Sequence, residues 1–242
     1  MSVAAAVELM CSGSGLDLLV KQAMDYHLYF IHRSRLVAIR RLLPAASRIL
    51  DLGGANSPLY HMGYGHAFSQ MVMIDLPPEQ RHSDWARVDV PSVEGDVNIF
   101  YGDMTDLSAF ESGSFDMVWS GQSIEHVPVE AARRMVHEAH RVLAPGGHLC
   151  LDTPNRALTR IHTQDWHGGY IHPEHHYEYQ THELRALLQD AGFELVVEKG
   201  ICQMPETVAT GRFHYSDFIL GNPISDSADD AYILYFDGIK RN

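Results

Sequence analysis

The chain has 242 residues, which suffice for one well-cored α/β domain and are too few for two full ones. Its 31 acidic and 18 basic residues give a formal charge of −13. This charge disfavours binding to a partner whose surface is a dense row of phosphates, so we expect no nucleic acid partner. The three cysteines form no Cys-x-x-Cys pair, which predicts reduced thiols. No apolar run is long enough for export or for spanning a bilayer, so we expect no membrane partner and a cytoplasmic location.

A long amphipathic helix is predicted over residues 16–43, because apolar residues recur near helical spacing and Pro44 stops the pattern. Four cations lie in its last turns. Cations near a helix C-terminus offset its negative end, so we interpret these side chains as structural. They are Arg33, Arg35, Arg40 and Arg41.

The two strands predicted after this helix carry acidic residues at their ends. The first, residues 48–52, contains Asp51 and runs into Gly53 and Gly54, and the second ends at Asp75. Glycines let backbone N–H groups approach a ligand closely, and a carboxylate at the next strand tip accepts both ribose hydroxyl protons. The pattern therefore predicts a nucleoside-binding half-site. A dinucleotide site would need Gly-x-Gly-x-x-Gly, whereas Asp51 suits a ligand with an ammonium or sulfonium group.

Further motifs follow in chain order. They are an apolar strand ending in acid (99–104), a strand and its loop (114–127), a helix end with a Pro-Gly-Gly turn and a strand (141–149), and a His-Tyr-Glu segment (175–179) ahead of a helix. With the glycine loop, this order resembles that of class I S-adenosylmethionine-dependent methyltransferases, in particular the type 11-like small-molecule enzymes. The resemblance extends from residue 48 to about residue 200, and Ala55 stands where the family usually has a second glycine.

The alternation of strands and helices predicts an α/β fold with a parallel sheet and helices on both faces. The resemblance implies a Rossmann-like, doubly wound sheet of seven mostly parallel strands with an antiparallel last strand. We expect a single domain. Its parts would be an N-terminal helical cap (1–47), a cofactor-binding core (48–200), an insertion or lid (201–230) and the last strand (231–242).

The resemblance also implies a cofactor, S-adenosyl-L-methionine, and the residues that contact it. The strand-tip acids and the loops after strands one to four would bind it, with Asp103 accepting from the adenine amino group and Met104 packing on the ring. The implied contacts are Asp51, Gly53, Gly54, Ala55, Asp75, Leu76, Asp103, Met104, Ser120 and Gly121.

Methyl transfer to a hydroxyl needs a group that takes the proton, and histidine suits this role because its pKa lies near neutrality. The candidates are His175 and His176, in a histidine-rich segment over residues 162–182, and His126 after the fourth strand. Some related quinone-type O-methyltransferases bind a divalent metal through Glu-x-x-Glu-His. Because Gln122 replaces the first of those glutamates here, we expect no metal at this position.

The leading hypothesis is a small-molecule methyltransferase that acts on a hydroxyl of a sugar-bearing, glycan-related or secondary-metabolite acceptor. N-methylation of an amino sugar or small amine stays open, since a neutral amine attacks before it loses its proton. A nicotinamide-dependent oxidoreductase and a non-catalytic cofactor-binding protein are the rival classes. The oligomeric state does not follow from the sequence.

Overall fold

The computed structural model of the protein describes residues 13–54, 58–81, 96–164 and 169–241. Within these ranges no helix combines the length and the apolarity that a membrane crossing would require.

The centre of the molecule is an eight-stranded sheet with the strand order β3-β2-β1-β4-β5-β8-β6-β7. The strands are β1 (Arg48–Leu52), β2 (Gln70–Asp75), β3 (Asp96–Tyr101), β4 (Phe115–Gly121), β5 (Leu143–Pro154), β6 (Phe193–Gln203), β7 (Ile224–Ser225) and β8 (Ala231–Lys240). The first five pair in parallel, while β8 lies antiparallel between β5 and β6. The predicted α/β fold with an antiparallel last strand is confirmed.

The sheet has one strand more than the predicted seven. The additional strand, β7, has two residues and pairs with Gly200 and Ile201 of β6. It lies within the segment 201–230, whose backbone returns to the edge of the sheet between two short helices and β8.

Strand β1 lies in the middle of the parallel half, between β2 and β4. Three apolar side chains of β1, Ile49, Leu50 and Leu52, are at most 1% exposed. Near-continuous apolar sequence is what a parallel strand covered by helices on both faces requires. The parallel pairing of β1 with β2 and β4 sets its direction, so its last residues emerge at the carboxyl edge of the sheet.

The helices cover both faces of the sheet. They are α1 (Gly13–Leu42), α2 (Pro58–His61), α3 (Val129–Val142), α4 (Arg156–His162), α5 (Thr181–Asp190), α6 (Pro205–Thr210) and α7 (Asp217–Leu220). Helix α3 turns one side inward, where Ala132, Met135, Val136, Ala139 and Val142 are buried at helical spacing. Helix α1 ends two residues before Pro44, as its sequence predicts.

The segment 201–230 packs against α1 and α4 through aromatic rings. His162 of α4 stacks on Phe213 with ring centroids 3.8 Å apart. Its Nδ1 lies 2.6 Å from the Tyr232 hydroxyl and its Nε2 lies 3.0 Å from the Tyr215 hydroxyl. Burial lowers the pKa of His162 to about 4, so the ring is neutral at pH 7. The role of this segment as a lid stays a prediction.

The first prediction concerns the core. Leu149→Ala in β5 should lower the free energy of unfolding by about 2–5 kcal/mol, because Leu149 is fully buried and its loss leaves a cavity. Leu220→Ala removes the same atoms from a side chain that is 75% exposed, and should change stability by less than about 0.5 kcal/mol. Urea unfolding of both variants checks the difference, and equal losses would contradict the assignment of the core.

Candidate active site

The carboxyl ends of β1, β2, β4 and β5 lie at one edge of the sheet, because these strands are parallel. This edge brings together side chains that are far apart in the sequence. Asp51 lies at the end of β1, Asp75 at the end of β2, and Gly121 of β4 is in register with Asp152 of β5. The edge is therefore rich in carboxylates.

Asp51 is 1% exposed, and its Oδ2 makes no hydrogen bond with any described residue. Burial and the nearby charge of Asp75 raise the pKa of Asp51 to about 8. A backbone hydrogen bond from Leu59 and the charge of Arg35 act in the opposite direction. A buried carboxyl with an unused oxygen is costly, so Asp51 fits a ligand that brings a donor or a positive charge to it.

The glycine loop passes close to this carboxyl. Gly53 has a φ of +75°, a conformation that residues with a side chain rarely adopt. Its N–H donates to the carbonyl of Ile74 over 2.8 Å. A Cβ on Gly54 would lie 2.5 Å from Cγ of Asp51, so a side chain there would collide with the carboxyl group. Ala55, which the sequence places next in the loop, falls outside the described residues.

Asp75 is held at the tip of β2. Its Oδ1 accepts the backbone N–H of Leu76 over 2.8 Å, and its Oδ2 lies 3.3 Å from Nη1 of Arg81. The Asp75 side chain is 16% exposed and that of Arg81 is 7% exposed, while Leu76 is 39% exposed. The Asp75 carboxylate is thus fixed in direction and reachable from the edge of the sheet.

The loop after β3 runs beside Asp75. The N–H of Gly102 donates to the carbonyl of Asp75 over 2.9 Å, which ties the two strand ends together. Asp103 is exposed and accepts the N–H of Thr105, whereas Met104 packs on the hydrophobic core. An acceptor and a thioether therefore stand together on the outer side of Asp75.

The loop after β4 lies on the other side of Asp51. Ser120 is buried and its Oγ lies 2.7 Å from Oγ of Ser123. Gly121 ends the strand, and Gln122 adopts a φ of 56°, which is unusual for a residue with a side chain. Such strain at a strand end is found at binding sites. The structure thus brings Asp51, Ser120 and Gly121 to neighbouring strand ends, and their role in binding a cofactor stays a prediction.

Histidines cluster next to this edge. Glu125 and His126 lie in a 3-10 turn directly after β4, and the chain returns beside them at residues 172–176. The ring of His126 lies 4.8 Å from that of His175 and 5.9 Å from that of His172, measured between centroids. The carbonyl of Glu125 accepts the N–H of His176 over 2.8 Å, which anchors the returning loop.

The candidate bases occupy different environments. His175 is held from one side, since its Nδ1 lies 2.7 Å from Oε1 of the buried Glu178. Burial, and then the charges of His175 and His172, lower the pKa of His126 to about 4. The side chain of His176 is exposed. Among the described hydrogen bonds, His176 contacts the cluster only through its backbone N–H.

Glu125 lies under the histidines. It is fully buried, Thr153 Oγ1 donates to its Oε2 over 2.9 Å, and Oε1 has no partner among the described residues. Burial raises the pKa of Glu125 to about 7. Glu125, His126 and His175 each offer a ligand atom within 4.8 Å of the others, a group able to hold a cation. The expectation that no metal binds here stays a prediction.

The sequence did not place two charged residues, Arg35 and Asp152, at this edge. Arg35 was predicted to balance the end of helix α1, and this is wrong, because its guanidinium reaches across to Asp152 with Nε 2.6 Å from Oδ2. Arg35 is one helical turn from Ala38 and Ile39, which are buried. A lone arginine on the buried side of a helix needs a carboxylate, and that was the available signal.

Comparison with known proteins identifies the family of the chain. A family described as "Methyltransferase domain" matches residues 26–198. The ubiquinone biosynthesis O-methyltransferase of Xanthomonas axonopodis pv. citri (strain 306) is 33% identical over 174 residues, which cover 68% of this chain and 70% of that protein.

Solved structures share the fold at lower identity. A SAM-dependent methyltransferase of Thermotoga maritima, described as a possible histamine N-methyltransferase, has a TM-score of 0.61 at 20% identity and covers 90% of this chain and 95% of that one. The [4+2]-cyclase SpnF has a TM-score of 0.55 at 21% identity, over 87% and 80% of the two chains. These two likenesses concern the fold alone.

The nucleoside-type half-site, the sheet order and the family match agree with one another. S-adenosyl-L-methionine is the cofactor that this family uses, and Oδ2 of Asp51, which has no hydrogen-bond partner among the described residues, suits its cationic part. The chain belongs to the class I S-adenosylmethionine-dependent methyltransferases.

Proposed function

We propose that the enzyme methylates a hydroxyl oxygen of a small-molecule acceptor of the sugar-bearing, glycan-related or secondary-metabolite class. The observation that carries the choice of oxygen is the His175–Glu178 pair beside the carboxyl edge of the sheet. A hydroxyl needs a base to take its proton as it reacts, whereas a neutral amine attacks before it loses its proton. The relationship to O-methyltransferases of ubiquinone biosynthesis supports the same choice.

The nucleoside part of the cofactor would lie against the ends of β2 and β3. Asp75 would accept the two ribose hydroxyls, with Leu76 beside the ring and Asp103 and Met104 at the adenine. In support, Asp75 and Leu76 reach solvent at this edge, and the loop after β3 is tied to Asp75 through Gly102.

The amino acid part would lie over the ends of β1 and β4, between Gly53 and Gly54 on one side and Ser120 and Gly121 on the other. When bound, the cofactor supplies an electrophilic methyl group on sulfur. Asp51 would face its positive charge. The charge of Arg35 reaches Asp51, so a cation is available nearby for the carboxylate of the same ligand.

His175 would take the proton of the acceptor. Three donors converge on the Glu178 carboxylate: Thr159 Oγ1, the N–H of Ile171 and His175 Nδ1. Because Glu178 accepts, Nδ1 carries the proton, and Nε2 keeps the lone pair that a base needs. His126, with its low pKa, would line the acceptor pocket as a neutral ring.

The second prediction tests the ribose contact. Asp75→Ala should weaken the binding of S-adenosylhomocysteine by about 1.5–3 kcal/mol, roughly 10- to 150-fold in affinity, because charged hydrogen bonds to the ribose are lost. Asp190→Ala, at an acid whose side chain is 67% exposed on α5, should leave the affinity unchanged. Calorimetric titration measures both. Tight binding of NAD with no response to S-adenosylhomocysteine would refute the cofactor site.

The third prediction uses the pKa of Asp51, about 8 in the free protein. Below this value Asp51 is mostly protonated, and binding an ammonium group requires it to ionise. The affinity for S-adenosylhomocysteine should therefore rise by up to about tenfold per pH unit between pH 6 and 8 and level off above. Asp51→Asn should abolish this dependence, and 5′-methylthioadenosine, which lacks the ammonium group, should not show it in the unmodified enzyme.

The fourth prediction separates the candidate bases. Methyl transfer would be followed as S-adenosylhomocysteine release with the first acceptor found in a panel of glycosides, phenols and amines. His175→Gln should lower kcat by about 10²-fold or more while the affinity for S-adenosylhomocysteine stays the same. His182→Gln, at an exposed position of α5, is the control.

The outcome of the same assay decides between the alternatives. A large loss in His176→Gln and none in His175→Gln would transfer the role to His176. An amine as the accepted substrate, with little effect of either substitution, would favour N-methylation over the hydroxyl chemistry proposed.

A further inference from the structure

The buried ion pair between Arg35 and Asp152 joins helix α1 to the carboxyl end of β5. Nε of Arg35 lies 2.6 Å from Oδ2 of Asp152, and Nη2 lies 3.0 Å from Oδ1. The Arg35 side chain is 13% exposed and the Asp152 side chain is fully buried. Residues 117 positions apart thus meet at the edge where the cofactor is expected to bind.

The pairing uses one edge of the guanidinium. Nε–H and one N–H of Nη2 point to the two carboxylate oxygens, a side-on arrangement. A guanidinium has five donors in a rigid planar fork, so Nη1 and the second N–H of Nη2 remain on the end-on edge. Among the described hydrogen bonds of Arg35, none uses these donors, and two parallel N–H groups match a second carboxylate.

Asp152 is itself held in place. Nε2 of Gln122 lies 3.3 Å from Oδ1 of Asp152, and the N–H of Gln122 donates to the Asp152 carbonyl over 2.9 Å. Gln122 is the residue with the unusual φ of 56°, so the turn after β4 directs its side chain back to β5. Arg35 therefore contacts a carboxylate that cannot move far.

We propose that Asp152 is a positioning residue, which fixes the guanidinium of Arg35 so that its end-on edge receives the carboxylate of the cofactor's amino acid part. The inference rests on the proposed cofactor site and goes beyond it, because Asp152 touches Arg35 and Gln122 rather than the ligand. A guanidinium held in advance loses less conformational freedom on binding than a free side chain, so the affinity gains from the fixed geometry.

The test compares two ligands that differ in the part concerned. S-adenosylhomocysteine carries the amino acid carboxylate, and 5′-methylthioadenosine has the same nucleoside without it. In calorimetric titration, Asp152→Asn should lower the affinity for S-adenosylhomocysteine about tenfold. The affinity for 5′-methylthioadenosine should stay within about twofold, since only S-adenosylhomocysteine uses Arg35.

The matched control is Asp116→Asn. Asp116 also forms an arginine pair, with Nη2 of Arg48 2.9 Å from its Oδ1, but at the opposite end of the sheet. It should affect neither ligand. If Asp152→Asn does not fold, Gln122→Ala provides the second variant, with a selective loss of about threefold expected for S-adenosylhomocysteine as Asp152 gains freedom.

Equal weakening of both ligands, or unchanged binding of S-adenosylhomocysteine in both variants, would overturn the positioning role and leave the cofactor site intact. Absence of S-adenosylhomocysteine binding in the unmodified enzyme would instead refute the proposed site, and the role of Asp152 with it.

Discussion

The negative charge at the carboxyl edge of the parallel sheet is the constraint on which the rest of the structure depends. Parallel strands end at the same edge, so acids at their tips are forced together by the topology. Burial raises the pKa of Asp51, and the nearby charge of Asp75 raises it further. A ligand with a positive charge removes this conflict, which gives the edge a physical preference for a sulfonium and ammonium compound.

The same constraint explains the position of helix α1. The edge needs a cation of its own, and Arg35 brings one from outside the sheet to Asp152. Breaking such a buried pair leaves an uncompensated charge, so the pair holds α1 to the sheet as well as balancing the edge. The helix is therefore joined to this edge, and the family match that begins at residue 26 includes the segment carrying Arg35.

The side that we propose for the acceptor is built from polar groups of a different kind. The loop that carries His175 is anchored through the carbonyl of Glu125 and through the buried carboxylate of Glu178. The aromatic rings of His162, Phe213 and Tyr215 then fix the segment 201–230 beside it. Buried, satisfied hydrogen bonds give such loops a defined shape, which a proton acceptor needs in order to meet its substrate in one geometry.

The sequence by itself predicted the parallel sheet and the edge proposed for a nucleoside-bearing cofactor, and its resemblance to the methyltransferases implied the antiparallel last strand. The sheet and the edge could be predicted because the alternation of apolar residues, the glycines and the strand-tip acids around Asp51 and Asp75 are local signals. The sequence did not reveal the short strand β7 or the contact between Arg35 and Asp152, since those depend on which distant segments meet. The sequence identified several histidines as candidate bases without separating them. Only the tertiary structure shows that His175 contacts Glu178 and that His176 is exposed, because hydrogen-bond partners and burial are properties of the folded chain.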